Sequence, residues 1–210
     1  MNIRHKLLGA CTICNELVIG YAKDEEKQLK QPTQEEEPPL TVVLLGDLKY
    51  GRTVHSLAAL LAETATAPVW NSRPIELRYC SPMGLEMPPP LQKYIQSFGP
   101  TKITQHSYEN LVDACEGANV LYATRVQQER FDDAEKKNNK CDETLRQYRI
   151  DLDLLQDPRV PLDMVLLHPL PRIDEIDTQV DSDPRAAYFR QVENGMLIRM
   201  ALLSLLLGKA

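Results

Sequence analysis

The chain lacks a basic excess: 24 Lys+Arg stand against 30 Asp+Glu, a formal net charge of -6 over 210 residues. Nonspecific nucleic-acid binding draws its affinity from a basic field that displaces counterions, so this balance argues against a nucleic-acid partner. An acidic average still leaves room for a local basic pocket. Long hydrophobic runs are missing too. The most apolar stretch, Met196–Leu207, is interrupted by Arg199 and falls short of the roughly 20 residues a spanning helix needs. At the amino terminus Arg4, His5 and Lys6 precede Leu7–Ala10 in a faint imitation of a signal peptide. Asn15 and Glu16 break its apolar region, and no small-x-small cleavage site follows. The expectation is a cytoplasmic protein without a membrane partner. Cysteines number 5, an odd count without regular spacing, which suits a reducing compartment. Gly (9) and Pro (15) are too few and too scattered for a fibrous or wholly disordered chain. Gly46 and Gly51 fit neither G-x-G-x-x-G nor G-x-x-x-x-G-K-[ST], so a nucleotide cofactor has no support.

What remains is an ordinary globular composition, 43% hydrophobic and 26% charged, enough for one sizeable core. Residues 5–20 read as a helix, with Leu7, Leu8, Cys11, Cys14, Leu17 and Val18 largely on one face. The charged, proline-containing run from Lys23 to Pro39 has nothing to bury and reads as a linker. From Thr41 onward strands alternate with helices. Strands are expected at Thr41–Gly46, around Ile75–Tyr79, weakly at Lys102–His106, at Val120–Thr124 and at Met164–Leu167. Helices are expected through Val54–Leu61, at Leu91–Phe98 and at Tyr108–Cys115. Such alternation implies an α/β fold: a Rossmann-like doubly wound parallel sheet of about five strands with flanking helices. In the tail, Asp183-Pro184 reads as an N-cap with proline at the first helical position. Asn194-Gly195 is expected to break that helix before another starts at Met196, apolar on almost every side and so in want of cover on more than one face. The expected organisation is a helix over 1–22, an acidic linker over 23–40, the α/β domain over 41–180 and closing helices over 181–210.

In open α/β sheets, ligands sit beyond the carboxyl ends of the strands. Three expected strands end in basic or polar groups: Gly46–His55 after the first, Thr124–Arg130 after the fourth, and His168–Arg172 after the last. Arg52 and Arg125 can then converge on one crevice, and paired guanidinium groups suit a small dicarboxylate. The plainer alternative is three unrelated surface arginines, each with a local carboxylate. A Cys11-Thr12-Ile13-Cys14 motif lacks a second pair for structural zinc and follows no expected strand. It reads as packing cysteines on a helix, with Cys80, Cys115 and Cys141 as core or surface thiols.

Three segments carry a resemblance: GDLKYGRTVHSL at Gly46–Leu57, TRVQQERF at Thr124–Phe131 and HPLPRIDEI at His168–Ile176. With YFRQVENGMLIRMALL in the tail, they resemble aspartate carbamoyltransferases, and specifically their carboxy-terminal, aspartate-binding half. The resemblance implies transfer of a carbamoyl group from carbamoyl phosphate to the α-amino group of L-aspartate, giving N-carbamoyl-L-aspartate and phosphate in pyrimidine synthesis, with no metal or organic cofactor. It implies that Arg52 and Arg125 hold the aspartate carboxylates with Gln127 beside them. Leu170 and Pro171 would offer backbone carbonyls to the carbamoyl amino group, Glu129 would orient Arg125, and His168 would shape the Pro169–Pro171 turn.

The family's amino-terminal half, with its Ser-Thr-Arg-Thr-Arg motif for carbamoyl phosphate, has no counterpart in these residues. HKLLGACTICNEL at 5–17 resembles the helix joining the two halves. The resemblance therefore implies a chain inactive alone unless a partner, in a homo- or hetero-oligomer, supplies the carbamoyl phosphate site. A noncatalytic aspartate-binding or interaction module derived from the family is the alternative. Ornithine carbamoyltransferases carry a cysteine where this chain has Pro169, and Arg125 with Gln127 favours an anionic substrate.

Overall fold

A computed structural model describes residues 38–66, 73–127 and 146–208. Pro38–Ala187 forms one compact unit, and the helix Tyr188–Leu206 belongs to a second and is described by itself.

The sequence LTVVLL forms strand β1 (Leu40–Leu45), in which every residue is buried. A strand apolar on both sides belongs where both sheet faces are covered, and β1 is central. Helix α1 (Arg52–Ala65) follows, burying Val54, Leu57, Ala58, Leu61, Ala62 and Ala65 along one stripe. Then come β2 (Ile75–Cys80), α2 (Pro89–Gln96), β3 (Ile103–Tyr108), α3 (Leu111–Cys115), β4 (Val120–Ala123), α4 (Leu152–Gln156) and β5 (Val165–Leu167). All pairings are parallel, and the sheet order is β3-β2-β1-β4-β5. The expected doubly wound, five-stranded α/β fold is what the chain adopts.

Alternate residues of β2 show how the layers form. Tyr79 donates to Gln105 Oε1 at 2.7 Å, and Gln105 Nε2 donates to the Gln92 carbonyl of α2 at 3.1 Å. Its neighbour Arg78 faces the other way. Its Nη1 donates to the carbonyls of Ala114 (3.0 Å) and Glu116 (2.6 Å), closing the carboxyl end of α3. The same guanidinium pairs with Glu76 at 3.0 Å. Burial alone would raise the Glu76 carboxyl, but hydrogen bonds from Arg78 and Thr41 outweigh it and hold the group below its ordinary range.

The structure corrects several local expectations. Strand β3 runs on to Tyr108, and α3 begins only after Asn110, whose Oδ1 accepts the N–H groups of Val112 and Asp113. The short helix α4, capped by Asp151, is additional to the expected elements. Asp183 does not cap an α-helix. It accepts the Arg185 N–H at 2.9 Å and two bonds from the Arg185 guanidinium, while residues 185–187 run as a rung beside β5. The helix starts at Tyr188 and, as α5 (Tyr188–Leu206), passes unbroken through Asn194-Gly195. An interior glycine costs about 1 kcal/mol relative to alanine, too little to stop a helix with strong helix formers on both sides. Along α5, Phe189, Met196, Leu197, Met200, Leu203 and Leu206 are exposed. No helix among the described residues is long and apolar enough to cross a membrane. The expected helix at 5–20, the linker, Cys11, Cys14 and Cys141 lie outside the described residues. Cys80 and Cys115 are buried and free, and burial pushes both thiols up to about 12, as fits inert core cysteines.

Candidate functional site

The sheet order places a topological switch point between β1 and β4. From β1 the chain turns to β2 on one side, while β4 and β5 lie on the other. At such a point the loops leaving adjacent strands part and open a crevice at the carboxyl edge. Leu45 is level with Ala123, and Tyr122 with Leu167. The segments 46–52, 124–127 and 168–172 therefore leave the sheet from three neighbouring strands.

Close packing at this edge rests on two glycines. Gly46 has φ +108, and a Cβ there would lie 2.2 Å from the Thr124 carbonyl oxygen. A Cβ on Gly51 would lie 2.4 Å from the Asp47 carbonyl oxygen and 2.6 Å from Val54. Only hydrogen at both positions lets the β1 loop fold tightly against β4 and turn into α1. His55, one turn into α1, sets its Nε2 at 2.7 Å from the Leu48 carbonyl oxygen and ties the loop to the helix.

Asp47 joins the two loops. It is fully buried, and its Oδ1 accepts the Tyr50 N–H at 2.8 Å while Oδ2 accepts the Gln127 N–H at 3.2 Å. A single carboxylate thus fixes the loop that leads to Arg52 against the loop that carries Arg125 and Gln127. Arg52 opens α1 and is exposed; among the described residues no carboxylate pairs with it. Arg125 and Gln127 are half-buried. Arg172 behaves differently. Its guanidinium grips Asp181 with both terminal nitrogens, Nη2 donating to Oδ2 at 2.6 Å, and it fits the plainer reading of an arginine with a local partner.

The third wall is the turn after β5. His168 is buried and its Nδ1 accepts the Leu170 N–H at 2.9 Å. Leu170 has φ 49, and the Leu170–Pro171 bond is cis. Pro171 is exposed and Leu170 partly so, leaving this backbone at the surface of the crevice edge. Glu129 lies outside the described residues. Among the described residues no cluster of His, Cys, Asp and Glu is arranged to hold a metal ion.

Residues 39–206 match the family described as aspartate/ornithine carbamoyltransferase, Asp/Orn binding domain. The chain belongs to this carbamoyltransferase family. It is 43% identical over 170 residues to the multifunctional protein CAD of Squalus acanthias, covering 81% of this chain and 7% of that one. To the aspartate carbamoyltransferase catalytic subunit of Haloquadratum walsbyi it is 38% identical over 171 residues, 81% of this chain and 50% of the subunit. Among solved structures, aspartate transcarbamoylase of Trypanosoma cruzi in complex with N-(phosphonacetyl)-L-aspartic acid superposes with a TM-score of 0.67 at 38% identity. That match covers 79% of this chain and 49% of the other. The chain spans about half the length of these single-function relatives, and a small fraction of the multifunctional one.

Two features of this carbamoyltransferase domain escaped the sequence reading. Asp47 stands in the quoted motif, yet nothing in a one-dimensional pattern shows that its partner is the backbone of Gln127. Its signal was a lone acid two residues past a largely apolar strand, where a buried carboxylate must find donors. Glu175 is the second. Its Oε1 is 2.8 Å from His168 Nε2, with side-chain exposures of 13% and 1%.

Proposed function

We propose that this domain forms the aspartate-binding share of an aspartate carbamoyltransferase site. The observation that supports the reading is that the segments carrying Arg52, Arg125 and the 168–171 turn leave three adjacent strands at the same edge of the sheet, at the switch point. Arg52 and Arg125 bind the two carboxylates of L-aspartate, with Gln127 as a further polar contact. A guanidinium matches a carboxylate bidentately, and Arg52, with which no described carboxylate pairs, is ready to do so. The backbone carbonyls of Leu170 and Pro171 accept hydrogen bonds from the carbamoyl amino group.

The aspartate amine attacks the carbamoyl carbon. A C–N bond forms, the C–O bond to phosphate breaks, the leaving phosphate takes the electron pair, and the amine sheds one proton. The domain contributes by fixing the nucleophile's angle and distance and by meeting charge with charge, effects that need no covalent enzyme intermediate. Carbamoyl phosphate is to be held by residues of the kind the family carries in its other half, within a homo- or hetero-oligomer. Its substrates are small, water-soluble anions, and the reading places the protein in the cytoplasm with neither nucleic acid nor membrane as partner.

The experiment is calorimetric titration of the chain with L-aspartate and with N-(phosphonacetyl)-L-aspartate, beside an assay of N-carbamoyl-L-aspartate formation. The reading expects binding that Arg125→Ala weakens by roughly a hundredfold, with product formed only when a carbamoyl phosphate-binding half is added. No binding of either compound would overturn it. Binding that no added half converts into turnover would favour a noncatalytic module instead.

A further inference from the structure

The turn after β5 is held from inside by a carboxylate that the reading above does not use. The two ring nitrogens of buried His168 face different partners. Nδ1 accepts the Leu170 N–H at 2.9 Å, and Nε2 lies 2.8 Å from Glu175 Oε1, a close polar contact whose angle falls short of an aligned hydrogen bond. The other carboxylate oxygen, Oε2, accepts the N–H groups of Ile173 at 3.1 Å and Asp174 at 3.2 Å. Glu175 is anchored in turn, because its carbonyl accepts the Ile150 N–H at 2.9 Å and Ile150 pairs with Ile176.

An imidazole nitrogen that accepts a hydrogen bond carries no proton. The Leu170 N–H therefore requires a bare Nδ1, and the proton of the neutral ring sits on Nε2, facing Glu175. Burial alone would raise the Glu175 carboxyl, but His168 and the backbone N–H groups outweigh it and keep the group below its ordinary range. At neutral pH it is an ionised, acceptor-only partner. The opposite tautomer would set Nδ1–H against the Leu170 N–H and a nitrogen lone pair against the carboxylate.

Leu170 needs such a restraint. It is the one non-glycine among the described residues with positive φ, at 49, a region that side chains with a Cβ disfavour. We propose that Glu175 is a positioning residue: it fixes His168 as the Nε2–H tautomer, keeps Nδ1 an acceptor for the Leu170 N–H, and so holds the Leu170–Pro171 backbone ready for the carbamoyl group. The last clause rests on the function proposed above; the tautomer does not.

The test uses the full 210-residue chain with nitrogen-15 in its histidines, His168 being assigned by its loss in His168→Gln. Proton–nitrogen correlation spectra report which ring nitrogen is protonated, and amide exchange reports the Leu170 N–H. Wild type is expected to show a neutral ring protonated on Nε2. Glu175→Met should abolish that preference, speed Leu170 exchange by about tenfold, and weaken binding of N-(phosphonacetyl)-L-aspartate by about tenfold. Glu175→Gln, whose amide oxygen can accept the same proton, should bind within about threefold of wild type. A wild-type His168 protonated on Nδ1 overturns the proposal. So does a Glu175→Met chain with unchanged tautomer and affinity. Should that variant fail to fold, the wild-type tautomer and the Glu175→Gln affinity still decide. A wild type that binds neither L-aspartate nor N-(phosphonacetyl)-L-aspartate overturns the proposed function, while the spectra continue to judge the role of Glu175.

Discussion

Arg185 and Arg52 sit in the same domain and do opposite things. The Arg185 side chain is 6% exposed and bonded through all three of its nitrogens: it meets both oxygens of Asp183 and donates to the carbonyls of Leu155 and Pro161. Those bonds pin the rung beside β5 to α4 and to the loop before β5. The direction of the Asp183 carboxyl agrees, since hydrogen bonds from Arg185 draw it below its ordinary value. Arg52, at the start of α1, is exposed and has no carboxylate of its own among the described residues. Arg78 and Arg172 side with Arg185, through Glu76 and Asp181. An arginine whose donors are already satisfied is part of the scaffold. An exposed one with no described carboxylate keeps its donors available, which is the premise of the proposed aspartate site.

The largest effect should come from the scaffold arginine. Arg185→Met strands the Asp183 carboxylate and two carbonyls and should cost about 3 kcal/mol of folding stability, read as a shift in the urea midpoint. A loss below about 1 kcal/mol would erase the contrast with Arg52. On the ligand side, Arg125→Ala should lower affinity for L-aspartate by roughly a hundredfold, the loss expected for a charged bidentate contact. Arg52→Ala should lower the same affinity by roughly tenfold and move folding stability by no more than about 0.5 kcal/mol. If instead it destabilises the fold and leaves titration with L-aspartate unaltered, the assignment of the two arginines is reversed.

The smallest effect concerns pH. Glu175 has its folded value held below the ordinary 4.5, so its contribution is fully present above that value and is lost as pH falls through the folded value. Glu175→Gln should therefore flatten the acid limb of stability below pH 4.5, measured by denaturation at each pH from neutral downward. An acid limb as steep as that of wild type would mean that the carboxylate is not what ties the turn.

The sheet was legible because its strands are either apolar but for one residue, as β1, or alternate cleanly, as β2, and because turn residues separate them. The placement of Arg52, Arg125 and the turn at 168–171 along one edge was legible for a topological reason: in a parallel sheet every strand delivers its following loop to the same edge. The misreadings have local causes. Asn194-Gly195 looks like a helix break, but one glycine is a weak breaker inside a long helix-forming stretch. Asp183-Pro184 looks like a cap, but the Asp183 oxygens are taken by Arg185, two residues on. The ties that set the crevice, Asp47 to the Gln127 backbone and Glu175 to His168, join residues through geometry that no spacing encodes.

The strand order also fixes when the crevice can exist during synthesis. β1 meets β2 across 35 residues, as Thr41 meets Glu76, but its ties to the β4 segment reach across 78 and 79 residues, as Thr41 meets Asn119 and Thr124 meets Leu45. Closing the longer loop comes later and adds its entropy to the cost of that pairing. The half-sheet β3-β2-β1 can form on a nascent chain while the edge of β1 that will border the crevice is still an open row of backbone donors and acceptors. Until β4 emerges to cover that row, it is also the place where two unfinished chains can pair wrongly.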